Sequence, residues 1–102
     1  MYEEHGLMSK LTNPQVLQYL RENQDKSNLE LVENALRHKL GIPPKSYRKR
    51  RIFHKDIDCQ NATPVKVFDP DLIEHITSQR HKYGISHRFT IEQAILNVIR
   101  SK

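Results

Sequence analysis

Asn13-Pro14-Gln15-Val16-Leu17 and Asp69-Pro70-Asp71-Leu72-Ile73 are two versions of one local pattern, 56 positions apart. Each sets a capping side chain, Asn or Asp, directly before a proline. Proline suits the first helical position, where no backbone donor is needed. Each then places apolar residues on one helical face, Val16, Leu17 and Leu20 in the first copy and Leu72, Ile73 and Ile76 in the second. Further on, Val32-Glu33-Asn34-Ala35-Leu36 is answered by Ile91-Glu92-Gln93-Ala94-Ile95, 59 positions apart, and Ser27 by Ser86 at that same offset. The change of offset places a three-residue insertion in the second copy. A repeat of this kind constrains the architecture before anything else does. A unit of about 40 residues rarely buries enough apolar surface to stand alone, so the two copies are expected to share one core.

Outward from the caps, each copy reads strand, helix, turn, helix. Leu7 to Thr12 is short enough for a strand. Thr63 to Phe68 is the better strand pattern, because Val65 and Val67 alternate with Lys66 and Phe68. Asn23 to Asn28 is a polar break. Ser27 or Asn28 then caps a second helix carrying Val32, Ala35, Leu36 and Leu40 on one side. Gly41 stops that helix, and Pro43-Pro44 prevents its resumption. In the second copy Gly84 suits a left-handed C-cap. Ser86 or Thr90 caps a last helix whose apolar face is Ile91, Ala94, Ile95, Val98 and Ile99. The organisation expected is a first unit at 7–40, a linker at 41–62 and a second unit at 63–102.

The 102 residues, 36% apolar and 28% charged, suit a small globular protein. No apolar run approaches the roughly 20 residues that span a bilayer. Glu3 and Glu4 and the lack of an apolar segment near the start argue against a signal peptide. Cys59 is the one cysteine, so no intrachain disulfide can form and a reducing, cytoplasmic setting is expected. The net charge of +5 is unevenly placed. Lys45, Arg48, Lys49, Arg50, Arg51 and Lys55 lie together without an acid, leaving 11 basic residues against 12 acidic ones elsewhere. A concentrated positive segment is what contact with a polyanion needs, although a solvated basic linker would look the same.

The second copy, from Val65-Lys66-Val67-Phe68-Asp69-Pro70 through Gly84-Ile85-Ser86 to Ala94-Ile95-Leu96, resembles the ribbon-helix-helix superfamily of DNA-binding proteins. The short strand, the cap at its end, the Gly-apolar-Ser turn and the alanine within the second helix carry the likeness. The first copy, Lys10 to Leu40, lacks the glycine and matches less closely. The resemblance implies a mostly α fold with a short two-stranded antiparallel β-ribbon, in which four helices make the core. Two units in one chain imply a tandem, intrachain pseudo-dimer with Leu7–Thr12 paired to Thr63–Phe68. Tandem forms are similar to accessory proteins of conjugative DNA transfer and to some plasmid or phage repressors. No cofactor is implied. Double-stranded DNA is the partner expected, with other proteins of a nucleoprotein complex, and the chain would act as a monomeric pseudo-dimer or as a homodimer.

A two-stranded ribbon fits the major groove, where alternate side chains reach base edges. With Val65, Val67 and Leu11 facing the core, Lys10, Thr12, Lys66 and Phe68 face outward as base-contacting candidates. The opposite phase, which the family pattern would favour at Phe68, buries Lys10 and Lys66 without partners, which is costly. A one-residue phase error exchanges the two faces entirely. Phosphates are expected at the N-terminus of each second helix, at Ser27 and Asn28 and at Ser86, His87 and Arg88, where free amides meet the positive end of the helix dipole. Ser27 and Ser86 are equally well explained as ordinary caps, and the two roles are compatible. The run Arg48, Lys49, Arg50 and Arg51 is expected on a flanking phosphate backbone or in a minor groove.

His75, His81 and His87 are spaced by six, and His54 lies five residues before Cys59, but neither spacing is that of a zinc site. No nucleophile with a base, no Gly-rich phosphate loop and no carboxylate pair points to catalysis. The functional expectation is sequence-specific DNA binding, as a transcriptional repressor or a DNA-transfer or partition factor, and not an enzyme. The rival is a helical protein-interaction module, an adaptor or antitoxin-like partner, with an incidental basic linker. Because the two copies differ at Thr12 against Phe68 and at Leu29 against Arg88, an asymmetric target and not a palindrome is expected.

Overall fold

A computed structural model describes residues 6–23, 26–47 and 61–101. The elements run β1 (Leu7–Leu11), α1 (Pro14–Glu22), α2 (Asn28–Leu40), β2 (Thr63–Val67), α3 (Pro70–Tyr83) and α4 (His87–Arg100). The expected order is found, and each strand ends one residue sooner than its sequence pattern suggested. The run Arg48 to Arg51, with His54 and Cys59, lies outside the described residues.

The two strands pair antiparallel, with Leu7 opposite Val67, Ser9 opposite Val65 and Leu11 opposite Thr63. Leu11, Val65 and Val67 point into the core and are buried, which fixes the phase with Lys10 and Lys66 outward. Phe68 does not turn inward. It stays 43% exposed just beyond the strand.

Local chemistry sets the helix ends. Asn13 Oδ1 accepts from the amides of Gln15 and Val16, and Asp69 Oδ1 from that of Asp71. Between the alternatives left open, Ser27 caps α2 and Ser86 caps α4, their hydroxyls accepting from the amides of Glu30 and Phe89. Thr90 is buried inside α4 instead. Gly41 and Gly84 close α2 and α3 at φ of 75° and 69°, a left-handed conformation that disfavours any side chain. The first copy has no such glycine after α1. That helix ends at Asn23 with an ordinary negative φ and has 9 residues against 14 in α3.

The second helix of each copy forms the centre of the core, and α2 packs chiefly on α4. Their buried residues correspond one for one at the 59-residue offset. Leu31, Val32, Glu33, Ala35, Leu36 and Arg37 are buried in α2, and Thr90, Ile91, Glu92, Ala94, Ile95 and Leu96 in α4. Val16, Leu17 and Leu20 and their counterparts Leu72 and Ile76 close the core from outside, with Ile73 partly buried. Leu40, expected in the core, is exposed.

His75 on α3 has its Nε2 buried without a hydrogen-bond partner. Burial pushes its pKa below the ordinary value, and Lys39 adds to the effect. As pH falls, the unfolded chain, whose imidazole titrates near pH 6.5, therefore takes up its proton before the folded imidazole does. Stability is full above that pH and falls as pH drops below it. Thermal melts should show Tm falling from pH 7.5 towards about pH 5, and His75→Gln should shrink the fall. The fall should not vanish in that variant, because burial and Arg80 lower His87 in the same sense. An unchanged fall in His75→Gln would rule out this origin.

Candidate nucleic-acid interface

Glu33 and Glu92 occupy the same place in the repeat, are 3% and 7% exposed, and perform the same task in opposite directions. Glu92, on α4 of the second copy, accepts on Oε2 from the amides of Thr12 and Asn13 at 2.8 and 2.9 Å. Glu33, on α2 of the first copy, accepts on Oε2 from the amides of Phe68 and Asp69 at 2.7 and 2.9 Å. Each unit's second helix thus holds the strand-to-helix corner of the other unit. Both carboxylates face the positive end of a helix dipole, where a negative charge is stabilised. Those corners fix the ends of the ribbon relative to the core.

The Phe68 corner carries a further network. Arg37, 2% exposed, donates from Nη2 to Asp69 Oδ2 at 2.8 Å and to Glu33 Oε1 at 3.5 Å. Its Nη1 reaches Asn34 Oδ1 and the Tyr47 hydroxyl, and that hydroxyl donates to Glu33 Oε1. Burial alone would lower the Arg37 pKa, but the bonds to Asp69 and Tyr47 outweigh it and the net shift is upward. Asp69 is held below its usual value, first by the hydrogen bond from Arg37. Tyr47 is pushed up to about 12, by burial and then by Glu33. Asn34 exchanges two bonds with the backbone of Lys45, so the start of the linker is pinned to α2. In the second copy the residue equivalent to Arg37 is Leu96, and the Thr12 corner has no corresponding cation network among the described residues.

The outer face of the ribbon is formed by Met8 opposite Lys66 and Lys10 opposite Pro64. Residues 6–12 and 63–68 contain no acid. Both lysines are exposed, and so is Thr12. Phe68 lies with its ring against Gly6, where a Cβ would come within 2.6 Å of it. At the opposite end, Arg88 Nη1 donates to Thr12 Oγ1 at 3.0 Å. This brings together two candidates, one expected on phosphate and one on bases. Ser86 and Arg88 are exposed, whereas Ser27, Asn28 and His87 are half-buried, and Asn28 Oδ1 is buried without a partner. The two helix starts are therefore unlike. The acid-free stretch 75–91 brings Arg80, Lys82 and Arg88 to the start of α4, whereas α2 carries Glu30 in its first turn.

The glutamate caps and the buried Arg37 were not singled out from sequence. A usable signal existed for the caps, since Glu33 and Glu92 are the one acid at matched positions inside matched apolar runs. No group of three or more metal-ligating side chains occurs among the described residues, and no helix among them is long and apolar enough to cross a membrane. Comparison with family models, with curated proteins and with solved structures finds no match to this chain.

Proposed function

We propose that this protein binds double-stranded DNA sequence-specifically, as a tandem ribbon-helix-helix chain whose two units form one pseudo-dimer around a shared core. The observation that carries the reading is the outer face of the ribbon, an antiparallel pair with two exposed lysines and no acid. Such a ribbon matches the width of the major groove. The reciprocal caps from Glu33 and Glu92 support the pseudo-dimer, because each unit completes the other's corner. A regulatory role as a repressor, or an accessory role in DNA transfer or partition, follows from this mode of binding. The rival interaction module would need broad free apolar helix faces, and most apolar residues of α1, α2, α3 and α4 pack into the chain's own core, leaving Leu40, Tyr83 and Phe89 exposed on three different helices.

A mobility-shift titration with random duplexes at about 50 mM salt tests the reading. A retarded complex that weakens as salt rises is expected. Absence of any complex at that salt would favour the interaction module.

The run Arg48 to Arg51 should supply much of the sequence-independent affinity. Replacing all four residues with alanine is expected to shallow the slope of log K against log salt by about 0.9 for each cation engaged on phosphate. An unchanged slope would remove the run from the interface.

A further inference from the structure

We infer that the ribbon reads an asymmetric duplex, with Arg88 taking a guanine at the Thr12 end and Met8 with Phe68 packing on a thymine methyl at the other end. The inference rests on the proposed DNA-binding mode and assigns base chemistry to its two ends.

The Thr12 end is a polar, cationic reader. Thr12 follows Lys10 at a two-residue spacing, so both lie on the outer face of the ribbon. Arg88, the second residue of α4, is exposed and is tied to the Thr12 hydroxyl at 3.0 Å. A guanidinium carries five N–H donors in a planar fork, and Thr12 occupies only one of them. The remaining fork is tethered to the ribbon instead of reaching freely for the phosphate backbone. A planar fork held at the groove matches the O6 and N7 acceptors of guanine. No acid lies in the first turn of α4, and the nearby Glu92 carboxylate is buried and engaged on the Thr12 and Asn13 amides.

The other end cannot do the same. The residue equivalent to Arg88 is Leu29, which has no donor. The guanidinium that the first unit does bring to this corner, Arg37, is buried and committed to Asp69 and Glu33. What is presented is apolar: Met8 at 57% exposure, and Phe68 over Gly6. Among base edges in the major groove, the thymine methyl is the apolar group. Lys66, paired with Met8, keeps a cation beside this contact. Four residues of strand from Thr12 back to Met8 span about 13 Å, or about four base pairs.

The test is selection of duplexes from a random pool by the full chain, repeated with Arg88→Lys and Met8→Gln. The wild type should enrich sites with guanine at one end and thymine about four base pairs away. Arg88→Lys keeps the charge and loses the fork. It should lower the guanine preference by about 5- to 150-fold while leaving the salt slope and the thymine preference intact. Met8→Gln should relax the thymine preference alone. A palindromic wild-type site, or an Arg88→Lys variant that retains its guanine preference, would overturn the inference while leaving DNA binding standing. Recovery of no duplex by the wild type would overturn both.

Discussion

Glu33→Ala is expected to lower the free energy of unfolding by about 3–5 kcal/mol, a large part of the roughly 5–15 kcal/mol available to a small domain. The carboxylate does three things at once. It caps the Phe68 and Asp69 amides, accepts from the Tyr47 hydroxyl, and balances the buried Arg37. Its removal strands two donors at a helix start and leaves Arg37 with Asp69 as its only close carboxylate among the described residues. Glu92→Ala removes the equivalent two caps but strands no cation, so its cost should be about 1–2 kcal/mol. Urea unfolding of the two variants, followed by circular dichroism, measures the difference. Equal losses would mean that the Arg37 network contributes nothing beyond the caps.

Lys10→Ala combined with Lys66→Ala should leave folding almost untouched, because both side chains are exposed. Its effect on DNA affinity should be large. Each lysine is placed to reach a base edge or a groove phosphate, worth about 1–3 kcal/mol. Together they should weaken binding by about 30-fold to 20,000-fold. The loss should exceed that of a control such as Lys39→Ala, an exposed cation on α2 away from the ribbon. Fluorescence anisotropy at fixed salt separates the two. Equal losses would point to a diffuse charge effect and not to the ribbon.

The elements were legible because their signals are local. Asn13-Pro14 and Asp69-Pro70 announce helix starts in five residues, and Gly84 announces a stop. The ribbon phase was legible because one alternative would bury two lysines, a cost large enough to decide between faces. The reciprocal caps were not legible, because they join residues 79 and 36 positions apart. Nothing near Glu33 in sequence says whose amides it meets. Arg37 was illegible for a different reason: followed by His38 and Lys39, it is indistinguishable in sequence from the cations that favour a helix C-terminus. The docking of Asp69 and Tyr47, together with Glu33 one turn earlier, makes its burial tolerable. Leu40 continued the apolar stripe of α2, yet it is exposed in the last turn of the helix.

In the proposed mode of binding, DNA meets the outer face of the β1–β2 ribbon. Backbone amide chemical shifts of the isotopically labelled chain, followed as duplex DNA is added, test it most directly. The largest changes are expected on Met8 to Thr12 and on Val65 to Phe68, with smaller ones at Ser86 to Arg88. Changes confined to the helix surface around Tyr19, His38 and Ile42, with the ribbon amides unmoved, would contradict it.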